Sequence, residues 1–173
     1  MKILYTAFNG KSNSSKILLD NIIAEKNNKL YLKNSFKTSV EQLNNKIKNN
    51  EYDLIISFGQ APLDKGTIKI ETRGNGIVSY DSDYDYKELE RLFNKNNFKT
   101  IISNDAGNYF CNNIYYNGLK YIKENNLKTK MIFIHIPQID KIDDIQEISN
   151  IFKMNQTEGE SKWKKILILY LGY

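Results

Sequence analysis

Short apolar runs alternate along this chain with segments whose apolar residues recur every three or four positions, and this restricts the fold more than any other feature. Ile3 to Phe8 reads as a first strand. Ser14 or Ser15 is positioned to cap a helix that turns Leu18, Leu19, Ile22 and Ile23 inward. Lys29 to Leu32 reads as a short strand, and Ser39 as the cap of a second helix with Val40, Leu43 and Ile47 on one face. Asp53 to Phe58 is a buried strand ending at Gly59-Gln60-Ala61-Pro62. Thr67 to Thr72 alternates as a strand, which Ile77 to Tyr80 continues or pairs with. A helix over Tyr86 to Asn96 presents Leu89, Leu92 and Phe93, and Thr100 to Ser103 is strand-like. A helix from about Asn108 to Asn125 follows, then a strand through Met131 to His135, then a helix from about Ile142 to Lys153. This order predicts a single-domain α/β/α sandwich over 1–153, with a mixed, largely parallel central sheet flanked by helices. Within the tail 154–173, the apolar run Ile166 to Leu171 suits an edge strand, a helix turn or a subunit contact, and is expected to be covered.

Charge and hydropathy narrow the function. The net charge is +5, yet of 25 basic residues only Arg73 and Arg91 are arginine. The lysines are scattered among Asn and acidic residues without a stripe or an interleaved stacking motif, which argues against a nucleic-acid surface. No stretch approaches the roughly 20 apolar residues that span a bilayer, so no membrane role is expected. The opening Met1-Lys2 passes directly into the first strand without a signal-peptide pattern. A lone cysteine forms no internal disulfide, and a reducing cytoplasm suits it.

Two residues stand out chemically. Cys111, the only cysteine, lies where the small-residue turn Ser103 to Gly107 runs into a helical pattern. His135, the only histidine, ends an apolar strand just before Pro137. A first-turn cysteine gains thiolate stability from the helix terminus, by about 0.3–1 kcal/mol, and a nearby imidazole is its natural base. The first-turn amides also suit a developing oxyanion. Gly107 lets the turn fold tightly. The plainer alternative is a buried structural thiol and a core histidine bonded to backbone. Both residues fall at strand or helix ends, where α/β folds place their sites.

Ser103 through Asn112 matches the pattern Ser-Asn-x-Ala-Gly-x-Tyr/Phe-x-Cys-Asn, and Phe133 through Pro137 matches Phe-Ile-His-x-Pro. With these segments, the chain resembles pyroglutamyl peptidase I, a family of cysteine peptidases that remove N-terminal pyroglutamate. Met1 to Phe8 is similar to the family's opening strand, Asn13-Ser14-Ser15 to its Asn-Pro-Ser, and Phe58-Gly59-Gln60-Ala61 to its Phe/Leu-Gly-Gln-Ala. Ile68-Lys69-Ile70-Glu71 looks like its Ile-x-x-Glu.

The resemblance implies Cys111 as nucleophile, His135 as base and Glu71 as the carboxylate that orients the imidazole and stabilises its charged form. Glu71 as a solvent-facing strand residue is the alternative. Phe8, Tyr109 and Phe110 are implied around the apolar edge of the lactam ring, with Asn13 and Gln60 on its polar side. The implied partners are peptides bearing N-terminal pyroglutamate, with no metal or cofactor required and a homo-oligomer left open. The chain departs from the family pattern at Asn9-Gly10-Lys11-Ser12, at Pro62-Leu63-Asp64 and at Thr72-Arg73-Gly74-Asn75. The segment between Glu71 and Cys111 is also short and lacks the family's arginine-bearing loop. Two other readings therefore stand beside the peptidase: a cysteine amidohydrolase for a different small amide, and a catalytically weak relative acting as a binding domain.

Overall fold

Strands β1 (Ile3–Phe8), β3 (Leu54–Ala61) and β8 (Lys130–Pro137) form the middle of a six-stranded sheet ordered β2-β1-β3-β8-β4-β7 in the computed structural model, which describes residues 1–152. The remaining members are β2 (Lys29–Leu32), β4 (Thr67–Glu71) and β7 (Lys99–Ser103). The expected boundary at 153 and the tail 154–173 lie outside the described residues. β1 is buried along its whole length, and β3 and β8 along most of theirs. Such continuous apolar runs belong to strands covered on both faces.

β2, β1, β3 and β8 run parallel, whereas β4 is antiparallel to β8 and parallel to β7. The reason lies in the link over 62–66. It is too short to hold a crossover helix, so β4 must reverse direction, and β8 later inserts between β3 and β4.

Period-two alternation divides the sheet into two faces. Ile3, Tyr5, Leu54, Ile56, Phe58, Ile132, Ile134 and Ile136 pack with α1 (Ser14–Asn21), α3 (Lys87–Lys95) and a helical stretch over 145–152. On that side Phe152 meets Tyr5, Phe58 and Phe93 edge-on, with ring centroids 5.0–6.3 Å apart. Leu4, Phe8, Ile55, Met131 and Phe133 face the other way, onto α2 (Phe36–Lys48) and α4 (Phe110–Glu124). Each Leu, Ile or Phe fully buried in these layers contributes about 1.5–3 kcal/mol of transfer free energy.

Several local expectations are corrected. The N-cap of α1 is Asn13, whose Oδ1 accepts from Ser15 N at 3.0 Å. Ser14 instead donates its hydroxyl to the Pro137 carbonyl at 2.6 Å, pinning α1 to the end of β8. The second helix starts earlier than its apolar pattern suggested, because Ser35 is the cap, accepting from Thr38 N at 3.3 Å. Ser39 is buried inside the helix. Ile23 is 67% exposed, since α1 stops at Asn21. Ile77 to Tyr80 does not extend β4. A separate two-stranded ribbon forms between β5 (Arg73–Gly74) and β6 (Tyr80–Asp81), leaving Ile77 fully exposed at its tip.

Replacing Ser35 with Ala removes the cap of α2, and the loss is expected to be about 1 kcal/mol in urea unfolding with an unchanged m-value.

Candidate active site

The same alternation that builds the core gathers the chemistry on one face. Gly59 lies two positions on from Ser57 and four from Ile55, and His135 two positions on from Phe133, so both turn toward α2 and α4. Gly59 and His135 are register partners on β3 and β8. From the other flank of β8, antiparallel β4 pairs Glu71 with Phe133 and Lys69 with His135.

Glu71 and His135 are joined by a buried hydrogen bond. His135 Nδ1 lies 2.8 Å from Glu71 Oε1, with the carboxylate fully buried and the histidine 5% exposed. An ionised carboxylate only accepts, so Nδ1 carries the proton and Nε2 is left as the basic nitrogen. Glu71 is therefore not the solvent-facing strand residue of the alternative reading. Burial works to raise its pKa. The hydrogen bond from His135, the Ser103 hydroxyl, the charge on His135 and Lys69 outweigh burial and bring it below the ordinary carboxylate value. Ser103 stands near without making a geometric hydrogen bond to Glu71, since its hydroxyl spends its proton on the Asp105 carbonyl at 3.3 Å. Oε2 of Glu71 has no partner among the described residues. Tyr115 donates its hydroxyl to the Glu71 carbonyl at 2.8 Å and braces β4 from α4.

Cys111 is the second residue of α4. The turn before it is held by its own side chains: Ser103 Oγ accepts from Asp105 N at 3.0 Å, and Asp105 Oδ1 from Gly107 N at 2.9 Å. Gly107 sits at φ +83°, a left-handed conformation that glycine adopts without strain. The N-cap, Tyr109, makes no side-chain cap, so the first amides of α4 are not capped by a side chain.

The sulfur lies directly over Gly59. A methyl group built there would stand 2.7 Å from Cys111 Sγ and 2.9 Å from the Phe133 ring. That ring in turn lies 4.9 Å, centroid to centroid, from the imidazole. Sulfur and imidazole thus flank the same glycine. Among the described residues no hydrogen bond joins them in the free protein. Such contacts often tighten only when substrate binds.

The thiol does not rest as the stabilised thiolate that its helix position predicts. Burial first, and then the charge of Glu71, push its pKa up to about 12, and its own backbone amide pulls only weakly the other way. Lost hydration outweighs what one helix turn returns.

Beside the sulfur lies an aromatic cluster. Phe8 stacks on Phe110 with centroids 5.6 Å apart, and Tyr109 lies 4.1 Å from Phe110. Phe8 is buried, whereas Tyr109 is 64% exposed. Phe36, which motif reasoning missed, completes the cluster at 4.6 Å from Phe110 and 5.4 Å from Tyr109. An aromatic residue just behind a serine cap, on a polar helix start, was the available signal. Asn113 ties the two helices together by donating to the Phe36 carbonyl at 2.9 Å.

Asn13 and Gln60 meet at the start of α1. Gln60 Oε1 accepts from Ser14 N at 3.1 Å while Asn13 caps the same turn, which leaves both amide nitrogens uncommitted among the described residues. A reciprocal amide pair was also unforeseen: Asn75 N donates to Asn112 Oδ1, and Asn112 Nδ2 to the Asn75 carbonyl, both at 2.8 Å. It fastens the β5–β6 ribbon to the first turn of α4.

Comparison with known proteins shows the family to which this fold and sequence belong. The family model described as pyroglutamyl peptidase matches residues 63–155. Pyrrolidone-carboxylate peptidase 1 of Caldanaerobacter subterraneus subsp. tengcongensis is 33% identical, over 80% of this chain and 83% of its own length. The chain belongs to the pyroglutamyl peptidase family. The pyrrolidone-carboxylate peptidase of Brachyspira hyodysenteriae is likewise 33% identical, over 64% of this chain and 66% of its own. Among solved structures, the pyrrolidone carboxyl peptidase of Fervidobacterium islandicum superimposes with a TM-score of 0.77 at 20% identity, covering 92% of this chain and 98% of that one. The Thermococcus litoralis enzyme gives 0.73 at 19% identity, covering 94% and 96%. These two likenesses establish a shared α/β fold. No helix among the described residues is long and apolar enough to cross a membrane.

In this family member, Gly59→Ala is expected to lower peptidase turnover by about 100-fold, because the added methyl displaces Sγ by a fraction of an ångström or more. Secondary structure measured by circular dichroism should be retained. Iodoacetamide consumes thiolate, so a pKa raised to about 12 sets the direction of the pH dependence. Alkylation of Cys111 should accelerate roughly tenfold per pH unit between pH 7 and 9, with no plateau near neutrality, as followed by mass spectrometry.

Proposed function

We propose that the chain hydrolyses the amide bond after an N-terminal pyroglutamate, with Cys111 as nucleophile, His135 as general base and acid, and Glu71 as the orienting carboxylate. The observation that carries this reading is the buried 2.8 Å bond from His135 Nδ1 to Glu71. In the neutral imidazole it fixes the Nδ1–H tautomer, with Nε2 as the accepting nitrogen, and Cys111 Sγ overlies Gly59, the register partner of His135. Family membership and the relatives' names support the substrate.

Sγ attacks the carbonyl carbon of the pyroglutamyl residue while Nε2 takes the thiol proton. The carbonyl electron pair moves to oxygen, and the open first-turn amides of α4 are the donors nearest the nucleophile to receive it. Collapse breaks the C–N bond, and His135 returns the proton to the departing amine. Water then attacks the thioester, His135 takes the water's proton, and pyroglutamate leaves as the thiol is restored.

Phe8, Phe110 and Tyr109 offer apolar and π surface to a flat lactam, and Asn13 and Gln60, at the start of α1, are the polar groups that the family resemblance implies for its N–H and C=O. A polar group of the pocket left unpaired when proline replaces the lactam costs about 1–3 kcal/mol, which selects pyroglutamate over proline. Peptides are the substrates, and the single unpaired cysteine suits a reducing cytoplasm.

A fluorogenic pyroglutamyl amide tests the proposal. The native chain should release the fluorophore, whereas Cys111→Ala and His135→Ala should fall to background. Prolyl amides should be turned over at least about tenfold more slowly. Turnover of other small amides with no pyroglutamyl activity would overturn the reading.

A further inference from the structure

One charged side chain beside the triad has no part in the chemistry above. Lys69 lies two residues before Glu71 on β4, on the same face, and opposite His135 in the ladder. Its Nζ stands 3.1 Å from Glu71 Oε1, the same oxygen that accepts from His135, and 2.9 Å from the Asp105 carbonyl, to which it donates. The side chain is 26% exposed and lines an open surface cleft with Thr72, Ile102, Ser103 and Asn104. One ammonium group thus bridges the carboxylate of the triad and the turn that leads into the nucleophile.

We propose that Lys69 is a positioning residue for this triad, holding the Glu71 carboxylate against the turn before Cys111 and offsetting part of its negative charge at the sulfur. This rests on the peptidase reading above. Two physical effects follow. Thr72 N and Oγ1 donate to the Ser103 carbonyl at 2.7 and 3.0 Å and Asn75 Nδ2 to the Asn104 carbonyl at 2.9 Å, and Lys69 adds a third tether at Asp105, one that also carries charge to Glu71. Glu71 is also a buried anion whose charge opposes ionisation of Cys111, and a cation within ion-pair distance of it lowers that opposition.

The groups facing this cluster are few. Glu71 and Lys69 come from β4, His135 from β8, Ser103 from β7, and Cys111 and Tyr115 from α4. Asp105 turns its carboxylate toward Gly107 N, and the nearby Arg73 and Asp81 are paired with each other at 2.6 Å. Lys69 is the cation of the cluster that is bonded to Glu71.

Three variants test the assignment. Lys69→Met should lower kcat about tenfold with KM nearly unchanged, and Lys69→Arg should restore most of it. Loss of the cation favours protonation of the Glu71–His135 pair. The acidic limb of the kcat/KM profile should therefore move to higher pH by about half a unit to one unit. Lys69→Gln keeps a donor for the Asp105 carbonyl but no charge, so it should show the pH shift with a smaller loss in kcat. It also stands in should the Met variant fail to fold. Alkylation of Cys111, which needs no substrate, should slow about three- to tenfold at pH 8 in both uncharged variants. Wild-type kcat and superimposed pH and alkylation profiles in Lys69→Met would overturn the proposal. Absence of pyroglutamyl turnover in the native chain would sink the reading of the reaction alone, leaving the alkylation comparison to decide Lys69.

Discussion

A carboxylate with no solvent exposure has to be compensated, and in this molecule that requirement organises the site. Removing an ion from water costs several kcal/mol, which only close partners recover. Glu71 finds its partners in His135 Nδ1 at 2.8 Å and Lys69 Nζ at 3.1 Å. His135 lies within reach because β4 runs antiparallel against β8, and Lys69 because it sits two residues before Glu71 on the same face of β4. Had the link over 62–66 been long enough for a crossover helix, β4 could have run parallel to β8, and this pairing would have been lost. The short return after β3 is thus a structural condition for His135 to meet Glu71 at all.

The electrostatics of the nucleophile follow from the same placement. The carboxylate that orients the imidazole also opposes ionisation of the sulfur, and burial opposes it more strongly. The helix start and its open amides work in the other direction, but one turn of helix offers only modest stabilisation. A resting neutral thiol fits the proposed cycle, in which proton transfer and attack occur together. Such a site also protects the cysteine from oxidants, because the thiolate is the reactive form.

Much of the architecture could be read from the chain. Apolar runs such as those of β1, β3 and β8 are strands under any reading, and their turns and helices alternate with little ambiguity. Local capping was less legible. Ser14, Ser15 and Ser39 all looked like caps, yet Asn13 and Ser35 hold those positions, because several polar residues in a row compete for one role and only backbone direction decides among them. Ile23 failed for a related reason: its helix ended at Asn21, two residues before the apolar pattern did. Of the site, Cys111 and His135 stood out as the lone cysteine and histidine at element ends and Glu71 came from motif resemblance, whereas Phe36 carried only a local signal and Asn75 and Lys69 none. Each reaches the site through a contact more than thirty residues away in sequence, to Tyr109 and Phe110, to Asn112 and to Asp105 respectively.

The sequence alone determined the strand–helix order, the two apolar faces and the presence of one thiol and one imidazole at element ends, since these depend on side-chain type and on short-range periodicity. Tertiary structure alone decided that β8 separates β3 from β4, that Glu71 is buried against His135, and that the sulfur rests neutral over Gly59. Those outcomes depend on strand direction and desolvation, which are set by the packing of segments far apart along the chain.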